Sequence, residues 1–311
     1  MPHDTIGLDI SKDSLDFHRL SDEAYRRFPN TSCGHKAARA WIGDAPLARI
    51  VYEPTGPYHG AFERAFAGHL PLVKVNPLQA RRFSQAHGTR AKTDAVDARM
   101  LALMGVAFDM EPDRPLDQNT RDLKEMNACR TAMVRDRTAL LNRLKTQTIV
   151  LLQRQTKARI TQLERQIKLL DDAIEAVLAC CPKRRRAGAI LTSIPGFGGI
   201  TARAILSTCP EIGTLAPKQA ACLAGLAPMT RQSGRWQGKA RIQGGRKQVR
   251  DALYMPAIVA MRRNPELAEK YADLRAKGKP HKLAITVIMR KLIILANTLI
   301  KENRKWHPKR P

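Results

Sequence analysis

The chain has 311 residues, 43% apolar and 26% charged, which is enough to bury a core and too apolar for a chain disordered throughout. Its longest apolar stretch, Leu283 to Leu299, is interrupted by Arg290, Lys291 and Asn297; the start MPHDTIGLDI lacks the pattern of a secretory leader; and six cysteines include no C-x-x-C pair, so a membrane span, export, a disulfide frame and a zinc site are not expected. Lys and Arg number 54 against 28 Asp and Glu, with 14 and 12 in residues 1–110 but 40 and 16 in residues 111–311, so a near-neutral head precedes a basic body suited to a polyanion, where each neutralised phosphate releases a counterion.

In the head, Thr5 to Ile10 reads as a short apolar strand ending in a carboxylate, and Ser14 to Leu20 alternates as its hairpin partner. A helix is predicted from Ala37 to Ile42, and a buried strand from Arg49 to Glu53, stopped by Pro54-Thr55-Gly56-Pro57. Tyr58 to Leu70 reads as a helix, Leu72 to Val75 as a strand, Asn76-Pro77 as the start of a helix and Asp94 to Met104 as a further helix. Strands alternating with helices predict a sheet that is at least partly parallel and covered by helices.

Residues 117–180 contain no Gly and no Pro, and Ile160, Leu163, Ile167, Leu170, Ile174 and Val177 follow a heptad seam. This is either a helical hairpin or coiled coil that joins subunits, or a helix pair packed within one chain. Cys181-Pro182-Lys183-Arg184-Arg185-Arg186 reads as a linker. Leu191 to Leu206 looks like a helix-hairpin-helix, in which the Gly196 to Gly198 turn offers backbone N–H groups to a phosphate beside a helix N-terminus; the alternative is a plain glycine turn. The segment 228–247 is rich in Gly and Arg, Leu283 to Ile300 reads as an apolar core helix and Lys301 to Pro311 as a frayed basic tail.

Four acids of the head carry the chemistry. Asp9 and Glu53 each end a predicted strand, and Asp94 and Asp97 stand three apart on a predicted helix, hence on one face. Brought together they would form an oxygen-rich pocket for Mg²⁺ (or Mn²⁺), ions that favour phosphoryl transfer. Each also has a bland reading: Asp9 as a turn cap, Glu53 as a surface charge, Asp94 as a helix cap and Asp97 as a first-turn charge. Asp13, Asp16 and Glu63 lie near enough to substitute under a different strand register. In the body, Ser233 precedes a glycine among Arg231, Arg235, Lys239 and Arg241, with Arg246 and Lys247 beyond. By itself this reads as a nucleic-acid-contacting loop, since a serine hydroxyl is a weak nucleophile. Trp236 either stacks on a base or anchors that loop.

The segments Ile6-Gly7-Leu8-Asp9-Ile10-Ser11-Lys12, Tyr52-Glu53-Pro54-Thr55-Gly56 and Lys92-Thr93-Asp94-Ala95-Val96-Asp97-Ala98 resemble the acidic motifs of the DEDD transposases of insertion sequences, the bridge-RNA-guided recombinases. The resemblance runs over essentially the whole chain. It implies an α/β plus all-α architecture: an RNase H-like (RuvC-like) domain at 1–115, coiled-coil helices at 116–182, and a mostly helical domain at 187–311 holding the helix-hairpin-helix-like segment. It also implies Asp9, Glu53, Asp94 and Asp97 as metal ligands and Ser233 as the residue that links covalently to DNA. Gly196, Gly198, Arg231, Arg235, Trp236, Lys239, Arg241, Arg246 and Lys247 are the expected nucleic-acid contacts. Implied partners are target and donor DNA, a non-coding guide RNA and further copies of the chain in a dimer or tetramer, in the cytoplasm and at the nucleoid of a prokaryote. Two other readings stay open: a metal-dependent junction-resolving nuclease with no covalent intermediate, and a non-enzymatic protein that bridges nucleic acid.

Overall fold

A computed structural model describes residues 4–89 and 93–308, which form two compact units, 1–116 and 117–311. Lys92 of the third acidic motif and the last residues of the basic tail lie outside the described residues.

The N-terminal unit is built in the order β1 (Asp4–Ile10), β2 (Ser14–Arg19), β3 (Tyr25–Pro29), α1 (Ser32–Ile42), β4 (Leu47–Tyr52), α2 (His59–Phe66), β5 (Leu72–Lys74), α3 (Pro77–Ala86) and α4 (Asp94–Ala107). The sheet order is β3-β2-β1-β4-β5. β1 pairs antiparallel with β2, and β2 with β3, whereas β1, β4 and β5 are parallel. This mixed sheet is compatible with an RNase H-like domain. β3 was not anticipated: Tyr25–Pro29 is largely exposed, so it lacks the apolar alternation that marks a strand. α1 begins earlier than expected because Thr31 caps it, its hydroxyl accepting from Gly34 N at 3.3 Å.

Strand alternation sorts the sheet into two faces. Ile6, Leu8, Leu15, Phe17, Ile50 and Tyr52 pack with residues of α1 and α2. Val51 and Val73 pack on the other face with Leu101 and Met104 of α4 and Ala80 of α3. Gly7, Asp9, Asp16 and, one residue beyond β4, Glu53 alternate onto this second face. Gly7 is where α4 comes closest: a Cβ there would stand 1.8 Å from the Ala98 carbonyl oxygen. The small residues Ala98, Ala102 and Gly105 give α4 the matching flat side.

The C-terminal unit opens with α5 (Gln118–Leu144) and α6 (Val150–Cys180), which pack on each other within the chain. Ile160, Ile167 and Ile174 of the heptad seam are buried, while Leu163, Leu170 and Val177 are half-exposed. Arg130 pairs with Asp171 at 2.7 Å across the helix pair. The expected linker is instead the start of α7 (Pro182–Leu191), because Pro182 sits at the first helical position with φ already suited to the helix. Two of its three arginines are engaged: Arg184 with Asp117 and Thr120, Arg186 with Asn303.

There follow α8 (Gly199–Thr208), α9 (Pro217–Leu223), the two-residue strands β6 (Pro228–Met229), β7 (Gln232–Ser233), β8 (Trp236–Gln237) and β9 (Arg241–Ile242), then α10 (Lys247–Arg263), α11 (Pro265–Ala276) and α12 (His281–Lys301). By length and composition alone α12 would pass for a membrane span, contrary to the sequence expectation, since Arg290 and Lys291 are too few to break it. It is the central core helix of this unit: Ile285, Ile288, Leu292, Ile293, Ala296 and Leu299 are buried in the core, and α12 packs on α7, α9, α10 and α11. Its buried Asn297 bonds Gly213 N and Leu215 O at 2.8 Å each, tying the α8–α9 connection to it.

Candidate active site

The acids of the head meet through backbone register. Leu8 pairs with Tyr52 on parallel strands, so the next residues, Asp9 and Glu53, stand at the C-terminal ends of neighbouring strands. Thr93 caps α4, its hydroxyl accepting from Val96 N at 3.3 Å, which places Asp94 and Asp97 in the first turn. The close approach at Gly7 holds that turn over the strand ends. Asp9, Glu53, Asp94 and Asp97 all line one cavity of about 1090 Å³, together with Lys12, Tyr58 and the α3 residues Leu78, Arg81 and Gln85.

The electrostatics follow from that convergence. Burial, with the charges of Asp97, Asp94, Asp16 and Glu53 acting the same way, pushes the Asp9 carboxyl up to about 6. Carboxylates that repel one another in a half-buried pocket fit a hard divalent cation, which prefers oxygen donors. As the side chains stand, no group of three or more His, Cys, Asp or Glu among the described residues closes on a metal position. Asp94 is exposed and forms an ion pair with Arg27 of β3.

The bland readings divide. The cap of α4 is Thr93, so Asp94 does not serve in that role. The turn after β1 is closed by Ser11 and Ser14, with Ser14 N donating to the Ser11 hydroxyl at 2.9 Å, and Asp9 takes no part. Of the alternative acids, Asp13 is exposed, and Glu63 is engaged by the Tyr52 hydroxyl at 2.5 Å and by Lys74. Asp16 is 1% exposed and lies directly opposite Asp9 in the β1–β2 register.

In the C-terminal unit, Gly198 caps α8 through its backbone alone, and a Cβ at Gly198 or Gly199 would meet open space. Gly196 differs: with φ 96° and a would-be Cβ 2.6 Å from the Pro256 carbonyl oxygen, it is a packing glycine against α10. Ser233 pairs with Trp236 in the β7–β8 hairpin, whose turn begins with Gly234 at φ 54°. Ser233, Arg231, Arg235, Lys239 and Arg241 are all exposed, and none of these four cations makes an ion pair among the described residues. Trp236 is 60% exposed and its ring lies over Gly238 of the same hairpin, so it does not anchor the loop to the core. Lys247 pairs with Asp251 at 2.5 Å. Arg246 grips Glu211 with two bonds of 2.7 Å and donates to Thr208 O at 2.8 Å. That guanidinium overrides the upward push of burial and holds Glu211 below the usual carboxylate range, an internal bond where a nucleic-acid contact was expected.

Comparison with known proteins connects these features. Residues 6–154 match the DEDD transposase profile of IS110-type elements, described as "Transposase", and residues 188–272 match the profile "Transposase IS116/IS110/IS902 family". The pilin gene-inverting protein of Moraxella bovis is 29% identical over 316 residues, covering 97% of each chain. The chain belongs to the IS110 family of DEDD transposases. An uncharacterized 43.6 kDa protein of insertion element IS110 from Streptomyces coelicolor is 31% identical over 155 residues, 49% of this transposase and 37% of that protein.

The first profile spans all four acids of the cavity, the second Gly196 to Lys247. As an IS110-family transposase the chain is a DNA-acting enzyme. Sequence reading missed the cations around its acids: Lys12 and Arg81, which line the cavity, and Arg27, which reaches Asp94. Arg27 carries no local signal, because it becomes relevant only through a strand pairing that the sequence does not announce.

Proposed function

We propose that this transposase cuts and rejoins DNA strands by transesterification through a phosphoserine intermediate, with Asp9, Glu53, Asp94 and Asp97 holding Mg²⁺ or Mn²⁺. The observation that carries the reading is the convergence of those four acids on one cavity, where burial and the neighbouring charges raise Asp9. A bound divalent ion would supply Lewis-acid stabilisation of charge on the transferring phosphoryl group. The oxygen-only donor set suits it.

The Ser233 hydroxyl attacks a strand phosphate. A P–Oγ bond forms, the P–O3′ bond breaks, the serine proton passes to solvent and the leaving 3′ oxygen takes up a proton. A 3′-hydroxyl of a second strand then forms a new P–O3′ bond as the P–Oγ bond breaks; that hydroxyl gives up its proton and the serine oxygen takes one up. One phosphodiester replaces another, so no external energy source is needed. Exposure of Ser233 on a two-residue turn supports this role, since the hydroxyl is open to a large polyanion.

Arg231, Arg235, Lys239 and Arg241 hold backbone phosphates beside the serine, and the open N-terminus of α8 at Gly198 offers N–H groups to another. Aromatics are only 5% of the chain, which favours phosphate and shape contacts over base stacking. Sequence choice then falls to a guide RNA that pairs with target and donor DNA. The M. bovis relative, similar along 97% of both chains and named for inverting a pilin gene, supports strand exchange over simple cutting. The three functional segments are 1–115, 116–182 and 187–311, and the enzyme acts in the cytoplasm, at the nucleoid. At the turn between α5 and α6, Ile149, Val150 and Leu151 are each at least 60% exposed, which supports a role of the helix pair in joining copies into a dimer or tetramer.

The test is a suicide DNA duplex offered with guide RNA and Mg²⁺. Wild type gives a protein–DNA adduct that Ser233→Ala lacks, while Ser233→Ala still binds the duplex. An adduct that persists in Ser233→Ala removes the serine from this role, and cleavage without an adduct in wild type identifies a nuclease that uses water.

A further inference from the structure

Three charged side chains stand in a row across the sheet. Asp9 of β1 pairs with Asp16 of β2, and Asp16 pairs with Arg27 of β3. Directly opposed residues of antiparallel strands share a face, here the face covered by α4. Asp16 is 1% exposed and fully committed: it accepts from Arg27 Nε at 2.7 Å, from the Ser14 hydroxyl at 2.9 Å and from the Tyr25 hydroxyl. The other end of the Arg27 guanidinium, Nη2, donates to Asp94 at the start of α4. This second bond joins half-exposed partners, at 53% and 54% exposure, and is the weaker hold of the two. The same hairpin grips α4 again where Glu23 pairs with Arg99 at 2.9 Å, so losing the Arg27 bond does not detach the helix.

We propose that Arg27 is a positioning residue: a resident cation, anchored by the buried Asp16, that holds Asp94 in the ion-free chain and yields it when a divalent ion arrives. This rests on the reading of the four acids as a cation site. The physical reason is charge balance. Four carboxylates around one cavity repel one another, and a fixed guanidinium at one of them relieves part of that repulsion until a divalent ion can relieve more. Binding the ion therefore includes breaking the Arg27–Asp94 pair, and affinity is set below what the acids alone would give.

The experiment titrates Mn²⁺ alone into the full-length chain and follows free Mn²⁺ by electron paramagnetic resonance, for wild type, Arg27→Gln and Arg27→Lys, each also in an Asp94→Asn background. Arg27→Gln is expected to bind Mn²⁺ at least fivefold tighter than wild type, and Arg27→Lys to fall between them. In the Asp94→Asn background the gain from Arg27→Gln disappears, because its target is gone; a purely structural role would not produce that coupling. Equal or weaker binding by Arg27→Gln, or a gain that survives Asp94→Asn, overturns the proposal. Should Arg27→Gln fail to fold, Arg27→Lys carries the same comparison. If neither wild type nor Arg27→Gln binds Mn²⁺, the reading of the four acids as a cation site falls instead.

Discussion

Replacing Gly7 by alanine adds one methyl group at the closest approach of α4 to the sheet. The new Cβ would lie 1.8 Å from the Ala98 carbonyl oxygen, 2.6 Å from Ala102 N and 2.9 Å from the Ala98 carbonyl carbon. All three are backbone atoms, so no rotamer change relieves the clash, and reaching an ordinary contact of 3.4–4 Å from 1.8 Å requires α4 to lift by roughly 1.6–2.2 Å. Overpacking of this kind costs about 1–3 kcal/mol. For a unit of this size that is a fall in melting temperature of about 5–15 °C. The lift also carries Asp94 and Asp97 away from Asp9 and Glu53, and a displacement of about 1 Å at a catalytic group costs on the order of 100-fold in rate. Thermal unfolding of the full chain and strand cleavage on the suicide duplex measure the two effects. Gly60→Ala is the control: it lies in α2, its Cβ would meet only the end of the Arg64 side chain at 3.4 Å, and alanine favours a helix. A Gly7→Ala protein with the melting temperature and cleavage rate of Gly60→Ala would refute the claim that α4 is seated on β1 by the missing side chain.

Two further outcomes are expected. The Asp9 carboxyl sits at about 6 against an ordinary 3.8, so between these values the folded chain holds a proton that the unfolded chain has released, and stability falls as pH rises through that window. In chelated buffer Asp9→Asn should therefore melt above wild type near pH 7.5, the gap closing near pH 4, while strand transfer is lost; an equal gap at both pH values would count against carboxylate crowding. The two arginines Arg241 and Arg246 should separate by assay. Arg241→Ala should leave the melting temperature unchanged and reduce the salt dependence of DNA binding by about one unit of slope. Arg246→Ala should leave that slope unchanged and lower the melting temperature, because the half-buried Glu211 loses its partner.

The chain announced its chemistry unevenly. Asp9 and Glu53 were legible because each ends an apolar strand before a turn signal, and Asp94 and Asp97 because their spacing fixes one helical face. The Ser233 loop stood out through glycines and arginines that no core would use. β3 was not legible, since its exposed side chains give no alternation, and with it went Arg27, a cation that pairs with Asp94. The basic run 183–186 suggested a linker by charge, whereas Pro182 and the partners Asp117 and Asn303 make it helix. α12 was read as a core helix and not as a span, yet by length and composition it is long and apolar enough for a membrane, since composition cannot say what will cover it.

By itself the sequence determined most of what is local: which apolar segments become strands and helices, and that four carboxylates stand near their ends. Alternation and helical spacing are properties of neighbours a few residues apart, and they survive in any context. Only the tertiary structure decided which carboxylates face one another, that Asp16 and Arg27 extend their row, that Arg246 belongs to Glu211, and that Gly196 is a packing glycine. Those outcomes depend on strand register and helix approach, which are set by contacts between segments tens of residues apart and leave no trace in either segment alone.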